Sequence, residues 1–229
     1  MQLIVLWDVD HTLVDNAGVS KEIYAGAFKA LAGRDAELPA PTEGRTDRAI
    51  MHEMFVRHGL PVPGWASAQR VLEEAGRGRE EDLRRRGRVL PGVQEGLKAL
   101  AADPEICSSV LTGNIAANAR VKLRAFGLDD LLDMAVGGYG EDSEDRACLV
   151  DAARSRIHAA YGVALTMPTV LIGDTPRDVQ AAHDAGARCV AVASGIHSMA
   201  ELSAAGADFV VPDLTDTEGL LAHLRAAAA

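Results

Sequence analysis

The 229-residue chain is poor in cysteine, aromatics and positive charge, and it has no long apolar run. Its three cysteines, Cys107, Cys148 and Cys189, are odd in number and widely spaced, which excludes a disulfide framework and a thiolate metal site. Cys107 and Cys189 lie in apolar, strand-like runs and read as small core residues of a protein in a reducing compartment. The apolar run at the N-terminus reaches Asp8 almost at once, far short of the roughly 20 residues that span a bilayer, and no basic segment precedes it. The expectation is a cytoplasmic protein without membrane attachment. Lys and Arg number 23 against 33 Asp and Glu, a net charge of −10, so the basic face of a nucleic-acid binder is missing. The densest basic run, Arg77 to Arg88, is interrupted by Glu80, Glu81 and Asp82 and reads as a solvated helix face.

What the chain has is a patterned alternation. Leu3 to Trp7 is a continuous apolar run, as in a strand buried on both faces. Residues 15 to 88 carry helical spacings instead. Tyr24, Phe28 and Leu31 follow Ser20 as N-cap, Ile50 to Phe55 form a second stripe, and a helix or pair over 66–86 is broken at Gly76 and Gly78. Pro91 opens a further helix. From there strands are expected at 106–111, 134–136, 169–172, 189–193 and 209–211, alternating with helices at 114–126, 146–161, 176–185, around 198–204 and up to 226. Ala226 to Ala229 reads as a frayed low-complexity tail. Such alternation implies a parallel sheet covered on both faces. The fold class is α/β, a Rossmann-like parallel-sheet core (1–14 and 89–229) with a helical cap inserted at 15–88.

Three of these strands end in polar clusters: Asp8-Val9-Asp10-His11-Thr12, Thr112-Gly113-Asn114 and Gly173-Asp174-Thr175-Pro176-Arg177-Asp178. In open parallel sheets sites form at the carboxyl ends of strands. Crowded carboxylates there favour proton uptake or a hard, oxygen-binding cation such as Mg²⁺.

These clusters, in this order, resemble the haloacid dehalogenase-like (HAD) hydrolase superfamily, and the insert after the first resembles the cap of its phosphoglycolate phosphatase and β-phosphoglucomutase-like branch. The resemblance covers nearly the whole chain. It implies a phosphatase acting on a small phosphorylated metabolite, with phosphoglycolate as the suggested substrate. Asp8 would be the nucleophile that becomes an aspartyl-phosphate, and Asp10 the acid and base. Thr112, with Gly113 and Asn114, would hold the phosphoryl group. Mg²⁺ would bind Asp8, Asp174 and the Asp10 carbonyl, with Asp178 nearby; Asp178 equally fits a helix-capping role behind Thr175. Two positions depart from the family pattern. His11 stands where Gly is usual, and no Lys follows the 134–136 segment. Arg146 is the preferred substitute. Lys122 is the rival, set back about 12 Å along its helix from Asn114. Arg45 is a candidate contact for a distal anionic group; Thr46 beside it can be an N-cap. His52 and His58 read as packing residues.

The alternatives are a sugar phosphomutase using the same acids and a non-catalytic, phosphometabolite-binding regulatory protein. A dehalogenase would lack the second acid seen at Asp10, and a receiver-like module would carry its phosphorylated Asp on the third strand. The assembly is expected to be a monomer or homodimer.

Overall fold

The computed structural model describes residues 1–228. A six-stranded, all-parallel sheet forms its centre, in the order β5-β4-β1-β6-β7-β8. Its strands are β1 (Leu3–Trp7), β4 (Ile106–Thr112), β5 (Gly138–Tyr139), β6 (Thr169–Gly173), β7 (Arg188–Val192) and β8 (Phe209–Val211). β2 (Val14–Asp15) and β3 (Arg88–Val89) make a separate antiparallel pair. The apolar run of β1 is buried on both faces because alternate residues point to opposite sides. Leu3, Val5 and Trp7 enter one core with α5 (Val93–Ala101) and α10 (Thr217–Ala228). Ile4 and Leu6 enter a second core with α7 (Ala147–Tyr161) and α8 (Pro176–Asp184). The remaining helix of the sheet region after β7 is α9 (Met199–Ala204).

Between β2 and β3 lie four helices: α1 (Val19–Ala32), α2 (Asp47–Arg57), α3 (Trp65–Gly76) and α4 (Glu80–Arg86). Their apolar stripes close on one another in a third core, with Phe28 and Phe55 rings 4.9 Å apart. That core also takes Ile115 and Ala125 from the segment of α6 (Ala116–Ala125), so the insert packs on the helix that follows β4. The Arg-rich run is the exposed side of α4; Arg79 and Arg86 also reach back to Glu22 on α1.

Four local expectations are corrected. Met134 to Val136 is a turn, tied by Asp133, and the strand beside β4 is Gly138–Tyr139. α5 begins at Val93 behind a left-handed Gly92, leaving Pro91 in the preceding turn. α10 runs through Ala228 with Ala227 buried, so the tail is helical as far as it is described; Ala229 lies outside the described residues. Ser20 does not cap α1: the helix starts one residue earlier, behind Gly18 at φ 84°, with no side-chain cap. Among the described residues no helix is long and apolar enough to cross a membrane.

Candidate active site

The chain order reverses around β1, which has β4 on one side and β6 on the other. The carboxyl ends of these three strands therefore face one crevice. A cavity of about 200 Å³ opens there, lined by Asp8, Asp10, Thr112, Gly113, Asn114, Arg146 and Asp174 from the sheet side and by Arg45 from the insert. Of the expected site residues, only Asp178 is withdrawn behind this wall, fully buried.

The residues fall into two groups. In the first, carboxylate oxygens of Asp8, Asp174 and Asp178 lie within 4.8 Å of one another, and all three residues are buried. One guanidinium faces them. Arg146 Nη2 donates to Asp8 Oδ1 at 2.7 Å and lies 2.6 Å from Asp178 Oδ1, an ion pair without hydrogen-bond alignment. Asp178 also completes a capping box, its Oδ2 accepting from the Thr175 N–H and hydroxyl, so the capping role weighed for it is present, while its carboxylate still lies beside those of Asp8 and Asp174. Thr12 Oγ1 donates to Asp174 Oδ1 at 3.3 Å. Burial pushes the Asp8 carboxyl up to about 7; Arg146 pulls it down, and the neighbouring acids add to the rise. Asp174 is pushed well above the carboxylate range by burial, Asp8 and Asp178. An all-carboxylate, oxygen-only set that resists ionising fits a hard divalent cation.

In the second group Asp10 is the only acid. Lys122 Nζ donates to its Oδ2 at 2.6 Å, Asn114 Nδ2 to the same oxygen at 2.8 Å, and Asn16 Nδ2 to Oδ1 at 2.6 Å. Burial alone would raise the Asp10 carboxyl, but Lys122 and the two amides outweigh it and hold it below its usual value. The Asp10 side chain is thus committed away from the acid cluster, which leaves only its main chain for a ligand role there. Thr112 Oγ1 accepts from Asn114 N–H and from Asn114 Nδ2, so its own proton is free to donate into the cavity.

Arg146 meets Asp8 as preferred, and the rival Lys122 reaches the site as well. Lys122 is 1 % exposed and bonds Asp10 and Asn114 Oδ1, both at 2.6 Å. A reach measured along the helix from Asn114 missed this contact, because α6 points its N-terminus at the site and helical side chains lean that way. The signal was the four-residue repeat Asn114, Asn118, Lys122: a polar stripe on the face that also buries Ile115, Ala119 and Leu123. A lysine on a buried face needs an acid partner.

The insert approaches this loop closely. Asp47 N–H donates to the Gly113 carbonyl at 2.6 Å, and its carboxylate accepts from Ile115 N–H and the Tyr24 hydroxyl. A Cβ at Gly113 would lie 2.1 Å from the Arg45 carbonyl oxygen, so only glycine admits this contact. Thr46 caps α2, accepting from Ala49 N–H. Burial pushes Asp47 up to about 6, against the pull of Tyr24 and Ile115. His11 has φ 63°, the left-handed region that favours glycine, and it is exposed with its carbonyl bonded by Ser194 Oγ. Its backbone thus explains the glycine usual in the family. His58 packs on Phe28 as expected, whereas His52 is half-exposed beside Glu144.

A family model described as HAD-hydrolase-like matches residues 146–217. Over 232 residues the chain is 29% identical to the probable phosphatase IndB of Dickeya dadantii (strain 3937), covering 96% of this chain and 93% of that protein. Among solved structures, a hydrolase from Pseudomonas syringae is 26% identical with a TM-score of 0.64, over 96% of this chain and 98% of its own. A predicted phosphoglycolate phosphatase from Haemophilus somnus 129PT shares the fold at 19% identity and a TM-score of 0.65, over 96% and 98%. The matched segment carries Arg146, Asp174 and Asp178, while Asp8, Asp10 and Thr112 stand at the ends of the strands beside it. In its α/β fold, in the matched segment and in these relatives, the chain is similar to haloacid dehalogenase-like hydrolases.

Proposed function

We propose that the protein is a Mg²⁺-dependent phosphatase that hydrolyses a small phosphate monoester through an aspartyl-phosphate on Asp8. The observation that carries this reading is the division of two neighbouring carboxylates between opposite surroundings, Asp8 among acids and Arg146, Asp10 on Lys122. Paired acids with separated proton affinities are what nucleophilic and acid–base steps require.

An Asp8 oxygen attacks phosphorus while the bond to the leaving oxygen breaks, and Asp10 gives that oxygen a proton. Asp10 is held ionised at rest, but an incoming phosphoryl group places negative charge beside it and favours the proton it must donate. In the second half Asp10 takes a proton from the water that attacks the aspartyl-phosphate, releasing phosphate and the Asp8 carboxylate. The Thr112 hydroxyl and the N–H groups of Gly113 and Asn114 would hold phosphoryl oxygens, and Arg146 would steady Asp8 and the transferring group. Asp8, Asp174 and the Asp10 carbonyl would hold Mg²⁺, with Asp178 alongside. Bound there, the ion would keep the carboxylates ionised and offset phosphoryl charge. Residues 15–88 would act as a cap over the cavity and exclude water.

The test is inorganic phosphate release from a panel of small monoesters, with Mg²⁺ and with chelator. Release that depends on Mg²⁺ and falls at least about a thousandfold in Asp8→Asn is the expected result. Turnover retained in that variant would defeat the mechanism. Transfer of phosphate between positions of a sugar, with none in solution, would assign a phosphomutase instead.

A further inference from the structure

We infer that Asp47 and Glu141 are positioning residues for the phosphoryl-holding loop 112–114, and that they act by jointly capping the helix that follows it. The inference rests on the phosphatase reading. Neither residue lines the cavity, so each acts through the loop and not on the reacting atoms.

α6 begins without a cap of its own. Ile115 stands at its N-cap position, where Ser, Thr, Asp or Asn usually supplies an acceptor, and an isoleucine side chain has none. The first N–H groups of a helix still need partners where they are buried. Two acids remote in sequence provide them. Asp47, 1 % exposed, accepts from the Ile115 N–H at 2.9 Å, and Glu141 Oε2 accepts from the Ala116 N–H at 2.7 Å. Carboxylates suit this end of a helix, where the dipole is positive.

One acid comes from the insert and the other from the turn after β5, and each segment also bonds the loop backbone. Asp47 N–H donates to the Gly113 carbonyl at 2.6 Å, and Gly140 N–H, next to Glu141, donates to the Asn114 carbonyl at 2.8 Å. A carbonyl and the N–H after it share one rigid plane. Fixing the Gly113 carbonyl therefore aims the Asn114 N–H, one of the groups proposed to hold a phosphoryl oxygen. The next plane is gripped at both ends, by Gly140 at the Asn114 carbonyl and by Asp47 at the Ile115 N–H. Both acids are supported from behind. Tyr24 on α1 donates to the Asp47 carboxylate, and Arg156 on α7 forks onto Asp142, the neighbour of Glu141, at 2.7 and 2.6 Å. The helix end is thus filled by the chain's own carboxylates, and the phosphoryl group is left with the loop that they hold still.

The experiment measures kcat and KM on an ester that the protein turns over, and the Kd of inorganic phosphate by calorimetry, both with Mg²⁺. Asp47→Ala should raise KM and the phosphate Kd about ten- to a hundredfold, the effect of losing a charged hydrogen bond. Glu141→Ala should raise them several-fold, because Glu141 is only half-buried. Asp47→Asn and Glu141→Gln keep an acceptor oxygen and should recover most of the loss. A purely structural role would lower the active fraction, and with it kcat, without moving KM or Kd. Unchanged KM and phosphate Kd in both alanine variants, or amide variants no better than the alanine ones, would overturn the inference and leave the phosphatase reading intact. If Asp47→Ala does not fold, the Glu141 variants decide by the same criteria. A wild-type protein that binds phosphate but releases none from any ester would overturn the phosphatase reading, and the Kd comparison would still judge the loop. Failure of the wild-type protein to bind phosphate would overturn the inference whatever its turnover.

Discussion

Asp8 and Asp10 stand two residues apart at one strand end, yet they meet opposite electrostatic surroundings. Asp8 shares its space with Asp174 and Asp178, and one guanidinium answers three carboxylates. Asp10 shares no hydrogen bond with another acid and is held by Lys122 and two amides. If all are ionised, the first group carries two uncompensated negative charges and the second none. Two positive charges, those of one divalent cation, would close the first group. The second is already complete. One half of the site is therefore built to wait for a ligand, and the other to hold a side chain in place without one.

This difference predicts which half responds to metal. The largest effect is expected from Arg146→Ala, which leaves Asp8 and Asp178 buried without a cation. Breaking a buried ion pair costs about 3–5 kcal/mol, or on the order of 10 °C in Tm for a chain of this size. The loss should be measured by thermal denaturation in chelator and should shrink with Mg²⁺. An equal loss under both conditions would break the comparison. Lys122→Met is expected to lower kcat about a hundredfold or more by freeing Asp10. Its effect on stability should be smaller, because the Asp10 side chain is 25 % exposed and keeps its amide donors. That effect should also be insensitive to Mg²⁺. A Tm change in Lys122→Met that Mg²⁺ reverses would mean that the two groups act as one.

The two halves also differed in legibility. Asp8, Asp174 and Asp178 could be read because acids just past apolar strands have no packing reason to be there, and a parallel sheet brings strand ends together. The sheet itself was legible for the same reason, in the unbroken apolar runs of β1 and β6. Lys122 was set aside because its partner lies far away in sequence, and only the placement of α6 joins them. Ser20 was misassigned as a cap because Ser before an apolar stripe ordinarily is one. Here Gly18, with φ 84°, starts the helix earlier and leaves the hydroxyl inside. The strand expected at 134–136 failed because Asp133 bonds β4 at Ser108 and its carboxylate then turns the chain through Ala135, so pairing resumes only at Gly138 and Tyr139.

Asp47 sharpens the comparison further, since it is a buried acid in no ion pair among the described residues, with Lys122 of the second half attracting it only from a distance. Burial pushes it up to about 6, although the Tyr24 hydroxyl and Ile115 N–H both donate to its carboxylate. The unfolded chain releases this proton near the ordinary value of 3.8. The folded chain therefore binds more protons between these values, and stability must fall as pH rises through that window. The stabilisation is fully present below about pH 4 and lost above about pH 6; two units correspond to about 3 kcal/mol. Asp47→Asn removes the titration. Its amide can keep both contacts, with Oδ1 accepting from Ile115 and Nδ2 donating to the Tyr24 oxygen. Urea unfolding should find the variant close to wild type near pH 4 and more stable than wild type near pH 7. If the two proteins keep a constant difference across that range, Asp47 is ionised throughout, and the combined pull of Tyr24, Ile115 and Lys122 outweighs its burial.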